Sequence, residues 1–201
     1  MVLVKICGLT TYQEALAATK AGADFIGFVF AESKRQVTVE QVDQIKRHLP
    51  DHVKTVGVFV DTPIRLVNQI ARLVKLDYVQ LHGNESVSTC LKSEFPVIKA
   101  LSLETTDATD KVLDYLPVVD YLLLDGSKPG SGQTFDWQLI DTIPLAREKM
   151  ILAGGLSLDN VNQAIEQARP IGVDVSSGVE TNGKKDLTKI EQFIQLAKGE
   201  G

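Results

Sequence analysis

Short apolar runs recur along the chain at 2–7, 24–30, 54–60, 78–82, 96–101, 121–125, 150–154 and 172–176. Each is bounded by turn or capping residues and is too short for a core helix, so each predicts a buried strand. The stretches between them carry helical spacing. Thr11-x-x-Glu14 is a capping box ahead of Ala15, Leu16 and Ala18, with Gly22 as the stop. Thr38-x-x-Gln41 opens a helix bearing Val39, Val42 and Ile45. Thr62-Pro63 supplies a cap and a first-turn proline before Ile64, Val67, Ile70, Ala71 and Val74. Weaker patterns predict helices over 86–92, 105–116 and 137–142. Ser157 is read as the cap of a helix with Val161, Ala164, Ile165 and Ala168 on one face. The last helix runs from about Leu187, with Ile190, Phe193, Ile194 and Ala197 as its inner stripe.

Strand and helix thus alternate eight times, at about 25 residues per unit, which predicts a parallel sheet. No linker or low-complexity segment divides residues 1–201, so the expectation is a single (β/α)8 TIM barrel domain with short loops. An open doubly wound sheet is the competitor. It usually brings a glycine-rich fingerprint after the first strand, and Cys7-Gly8-Leu9-Thr10 is not one.

Side chains alternate faces along a strand, and this sorts the polar residues. Lys5 and Cys7 share one face of the first strand, opposite Val4 and Ile6. Gln80 and His82 oppose Val79 and Leu81; Asp125 is in phase with Tyr121 and Leu123; Asp174 and Ser176 oppose Val173 and Val175. The apolar parity should meet the helices and the mixed parity should point into the barrel, with its polar groups at the carboxyl rim where this fold works. Cys7 is the candidate nucleophile or base, a thiol that environment can tune toward neutral ionisation, although an inert buried cysteine is the commoner role. Cys90 is assigned to packing. Asp125 ends its strand before a loop with Gly126, Gly130 and Gly132, which suits an acid beneath a lid and equally a turn aspartate. His82 is a proton carrier or a hydrogen-bonded structural histidine, and Lys5 needs an internal ion partner. Gly154-Gly155 and Ser176-Ser177 end the last two strands, where barrels commonly bind phosphate through backbone N–H groups. No Lys or Arg lies between Met150 and Ala168 or between Ile171 and Asn182, so side-chain cations look scarce there.

Composition narrows the function classes. Hydrophobic residues make up 44% and charged residues 23%, and a net charge of −5 gives no basic footprint for nucleic acid. Two distant cysteines and three histidines offer no metal-ligand cluster. The start is strand-like rather than a signal peptide, and no apolar run approaches a membrane span. A reduced, cytoplasmic, metal-free protein is expected.

Several segments carry a resemblance: Lys5-Ile6-Cys7-Gly8-Leu9-Thr10, Gly27-Phe28-Val29-Phe30, Val56-Gly57-Val58-Phe59-Val60, Val79-Gln80-Leu81-His82-Gly83, Gly132-Gln133-Thr134-Phe135-Asp136-Trp137, Leu152-Ala153-Gly154-Gly155-Leu156 and the run from Val173 to Glu180. Together they resemble the phosphoribosylanthranilate isomerase family over the whole chain. The resemblance implies an isomerase of tryptophan biosynthesis that needs no cofactor and takes a small phosphosugar, with neither nucleic acid nor membrane as partner; a monomer is the working expectation. It implies Cys7 as general base and Asp125 as general acid. It places Arg35 on the anthranilate carboxylate, Gly154, Gly155, Ser176 and Ser177 on the phosphate, and His82 and Asp174 on the substrate. The family's Ser-Pro-Arg matches Ser33-Lys34-Arg35, with Lys34 in place of proline. Two other readings stay open. A histidine-pathway aldose-ketose isomerase would carry Asp where Cys7 stands, and a non-catalytic barrel would keep the phosphate loops without chemistry.

Overall fold

The computed structural model describes residues 2–102, 108–126 and 144–199. All eight apolar runs are strands: β1 (Leu3–Cys7), β2 (Phe25–Val29), β3 (Lys54–Phe59), β4 (Tyr78–Leu81), β5 (Val97–Ser102), β6 (Tyr121–Asp125), β7 (Met150–Leu152) and β8 (Gly172–Val175). Each pairs in parallel with its neighbours in chain order, and β1 pairs with β8, so the sheet closes. The open doubly wound sheet is excluded.

Outside the barrel lie α1 (Tyr12–Lys20), α2 (Val39–Lys46), α3 (Ile64–Leu73), the short turn of helix α4 (Val87–Cys90), α5 (Ala108–Tyr115), α6 (Val161–Ala168) and α7 (Leu187–Lys198). Complete capping boxes at Thr11 and Thr38 start α1 and α2, and each such cap stabilises by roughly 1 kcal/mol. Two expected starts are corrected. Pro63, not Thr62, is the N-cap of α3; the Thr62 hydroxyl donates to the Val60 carbonyl instead. Ser157 opens a turn, and α6 begins only at Val161, after Asn160. Asn160 is used elsewhere: its side chain accepts from Ser157 N and donates to Gly155 O. The helix expected over 137–142, the start of that over 105–116, and the lid-like loop with Asp136 lie outside the described residues.

The face assignment holds. Val4, Ile6, Val79, Leu81, Leu122, Leu124, Val173 and Val175 point outward and are buried against the helices, whose inner stripes include Ile190, Phe193, Ile194 and Ala197. Cys90 belongs to this layer. The inward face holds a separate cluster built on Phe25, Val56, Ile98, Leu123 and Ile151. At the amino ends of the strands Phe25, Tyr78 and Tyr121 meet as a trio, with ring centroids 5.5 to 5.9 Å apart. Such pairs contribute about 0.5–1.5 kcal/mol each beyond area burial. They close the bottom of the barrel, so the polar inward residues have one end to occupy.

Candidate active site

β1 delivers Lys5 and Cys7 to the interior, and its register with β8 sets Lys5 beside Asp174. Lys5 Nζ lies 2.8 Å from Asp174 Oδ1, the internal ion pair that an inward lysine requires. Gly27 on β2 makes the room: a Cβ there would sit 2.9 Å from Cys7 Sγ and 3.2 Å from Lys5 Nζ. Burial alone would lower the Lys5 pKa, but the charges of Asp174 and Cys7 outweigh it and hold the ammonium above its usual value. Cys7 departs from the expected near-neutral thiol. Burial pushes its pKa up, Lys5 opposes the rise, Asp174 adds to it and Lys185 opposes it again. The thiol, not the thiolate, is therefore the favoured form at neutral pH.

Asp125 is buried at the tip of β6. Its Oδ2 lies 3.4 Å from His82 Nε2, while Oδ1 has no hydrogen-bond partner among the described residues. Gly154 makes this possible. With φ at 84° it adopts a conformation side chains rarely take, and a Cβ would fall 2.7 Å from Asp125 Oδ1 and collide with Gly126 N. His82 Nδ1 lies 2.8 Å from Gln80 Nε2; with that amide donating, Nδ1 accepts and Nε2–H faces Asp125. The loop after His82 is pinned from below. Buried Lys99 Nζ donates to Leu81 O, Gly83 O and Glu85 Oε2, and the Glu85 carboxylate accepts from the backbone of Asp61 and Gly83.

Ser176 follows β8, and its hydroxyl donates to the Cys7 carbonyl at 3.1 Å. Ser177 begins a three-residue 3-10 turn. Gly178 packs directly on the Leu156 carbonyl, where any Cβ would collide with the oxygen, so the loops after β7 and β8 touch. Arg35 lies over the same region. Its Nε donates to Glu180 Oε1 at 2.5 Å, and its Cδ would be 2.5 Å from a Cβ on Gly8, whose φ is 75°. Arg35 is reached through a turn closed by Gln36 N donating to Ser33 O. Lys34 occupies the second position of that turn, the one proline favours, and its ammonium is 3.5 Å from Glu180 Oε2.

The structure thus gathers Ser176 and Arg35 around Gly8, next to Cys7, with Asp174 on Lys5, and sets Asp125, His82 and Gly154 on other strands of the rim. A cleft of about 810 Å³ opens over β3 to β6 and is lined by Asp125, His82, Lys99 and Tyr115. It reaches the carboxyl group but not the thiol. The expectation that cations are scarce near the glycine loops holds along the sequence but not in space. Lys185, three residues past Asn182, donates to Ser176 O at 2.7 Å. Its signal is Asn182-Gly183, a two-residue hairpin turn that folds it back.

With its polar inward groups at the carboxyl rim of a closed parallel barrel, the molecule has the layout of a (β/α)8 enzyme. Residues 4–196 match the family model described as N-(5'phosphoribosyl)anthranilate (PRA) isomerase. The N-(5'-phosphoribosyl)anthranilate isomerase of Listeria welshimeri is 47% identical, with 98% of each chain covered. The crystal structure of phosphoribosyl anthranilate isomerase from Thermotoga maritima superposes with a TM-score of 0.91 at 43% identity, covering 99% of this chain and 100% of that one. Another, of a phosphoribosyl anthranilate isomerase in complex with reduced 1-(o-carboxyphenylamino)-1-deoxyribulose 5-phosphate, gives 0.88 at 41% identity over 99% and 100%. The chain belongs to the phosphoribosylanthranilate isomerase family, enzymes of tryptophan biosynthesis.

Proposed function

We propose that the chain converts N-(5-phosphoribosyl)anthranilate to 1-(2-carboxyphenylamino)-1-deoxyribulose 5-phosphate with Asp125 as general acid and Cys7 as general base. The observation that carries this reading is the Oδ1 of buried Asp125, without a hydrogen-bond partner among the described residues and set across the rim from an equally buried thiol on β1. Asp125 gives its proton to the ribose ring oxygen. The C1–O bond breaks and the amine lone pair forms a C1=N Schiff base. Cys7, as thiolate, removes the C2 proton, and those electrons form the C1=C2 bond of the enolamine, which tautomerises to the ketose. C2 is oxidised and C1 reduced within one molecule, so the scheme needs no external electron carrier. Lys5 holds Asp174 in place beside the sugar, and the Gln80–His82 contact aims His82 at Asp125.

The phosphate goes to the backbone amides of Gly154, Gly155, Ser176 and Ser177, and Arg35 takes the ring carboxylate, which a guanidinium grips in plane. No described helix is long and apolar enough to cross a membrane. As a member of a biosynthetic enzyme family the chain is placed in the cytoplasm, and we take it to work as a monomer. The test is a turnover assay with phosphoribosylanthranilate followed by loss of anthranilate fluorescence. Absence of turnover by the intact protein overturns the reading in favour of another phosphosugar barrel or a binding protein.

Arg35 needs its own test, because it shares the space over Gly8 with Ser176. Arg35→Met is expected to raise KM by about tenfold, the loss of ~1.4 kcal/mol from a charge-assisted contact. Competitive inhibition by inorganic phosphate should stay nearly unchanged. Equal weakening of substrate and phosphate would move Arg35 to the phosphate end.

A further inference from the structure

Asn182 and Gly183 both have positive φ, 53° and 76°, the pattern of a type I′ turn. That turn joins β9 (Glu180–Thr181) to β10 (Lys184–Lys185) and pairs Lys185 with Glu180. Residues directly opposite across a hairpin share a face, so both side chains turn the same way, under the loop after β8. They are 3% and 5% exposed, and Lys185 Nζ lies 3.3 Å from Glu180 Oε1. A buried ammonium is expensive unless its donors are met. Here they go to Ser176 O at 2.7 Å, Ser176 Oγ at 3.2 Å and Glu180. Ser176 in turn donates to the Cys7 carbonyl.

The charge count favours an anion at this spot. Glu180 is shared by Arg35, Lys34 and Lys185, three cations on one carboxylate. Burial would raise the Glu180 pKa, yet Arg35 and Lys185 bring it to about 2, so it stays ionised and the surplus remains positive. The other charged groups acting on Cys7 are Lys5 on its own strand, which favours the thiolate, and Asp174 on β8, which opposes it less strongly. β2 presents Gly27, which carries no charge.

We propose that Lys185 is a positioning residue for the base, held by the Glu180 hairpin so that its charge favours the Cys7 thiolate while its hydrogen bonds fix Ser176. The proposal rests on Cys7 acting as the base. Burial holds the Lys185 pKa below its usual value, and Cys7 and Glu180 oppose that fall, so thiolate and ammonium support one another. Lys5 also favours the thiolate, but its ammonium is paired with the Asp174 carboxylate, so Lys185 adds to a field that Asp174 partly opposes.

The experiment follows the rate of Cys7 alkylation by iodoacetamide against pH, read by mass spectrometry of the Cys7 peptide in a Cys90→Ser background. Lys185→Met and Lys185→Gln are expected to move the midpoint up by about one pH unit, a tenfold loss of thiolate at any pH below it. Lys185→Arg should restore the midpoint, and the acid limb of kcat/KM should move by the same amount. Gln keeps a hydrogen-bond donor without charge, so it separates field from tether. A midpoint unmoved in both neutral variants, or moved as far by Arg as by Met, overturns the proposal. Alkylation needs no turnover. An active Cys7→Ala protein would therefore sink the base assignment and leave the midpoint shift standing, whereas an unmoved midpoint counts against Lys185 alone.

Discussion

Cys7→Ala should lose turnover by about 10²–10⁴-fold, the usual contribution of a positioned base, while product still binds. Alanine fits the space without strain, because the side chain stands in the gap left by Gly27 rather than in a packed layer. Steady-state kinetics alongside a product-binding titration measure the two effects separately. A variant that keeps more than about a tenth of wild-type kcat would remove Cys7 from the mechanism. The pH dependence has a definite sign. Only the thiolate accepts a proton, and burial raises the Cys7 pKa, so kcat/KM should climb with pH through the neutral range and level off above the ordinary thiol value of about 8.5. For stability the same shift works the other way. A raised folded pKa favours the native state below the unfolded thiol pKa, and that contribution is lost as pH rises through the folded one.

Asp125→Asn should lower kcat by about 10²-fold or more and change KM far less. Asparagine keeps the shape, and its amide can still meet His82, but it has no acidic proton for the ring oxygen. The side chain has little freedom to find another role, because Gly154 and Gly126 close on it. Asp136, which lies outside the described residues, provides the control. Equal losses in Asp125→Asn and Asp136→Asn would show that the wrong carboxylate has been chosen.

The fold was readable because its signals are local. A period of two fixes a strand's face, so the inward set of Lys5, Cys7, Gln80, Asp125 and Asp174 follows from four short runs without knowledge of their partners. Thr11 and Thr38 were legible for the same reason, since a capping box is complete within four residues. The failures share a different cause. Thr62 and Ser157 have the right chemistry for a cap, but local turns claim their hydroxyls first, through the Val60 carbonyl in one case and the Asp159 N–H in the other. Lys185 was missed because its hairpin strands have two residues each, too few to show alternation, although Asn182-Gly183 announced the turn. The direction of the Cys7 shift was also beyond the sequence. It depends on how completely the barrel buries the thiol, which no single strand reveals.

The pairing of β1 with β8 bears on how the chain becomes a protein at all. Lys5 emerges first and meets Asp174 only 169 residues later. Until the final strand docks, any partial barrel must either expose Lys5 or bury it alone, and an uncompensated buried charge costs several kcal/mol. Cys7 waits for Ser176 across the same 169 residues. A seven-stranded intermediate is therefore penalised at the place proposed for the base. Assembly is driven toward all-or-none closure, and during synthesis the Lys5 and Cys7 side of the rim comes together in one step, once β8 has emerged.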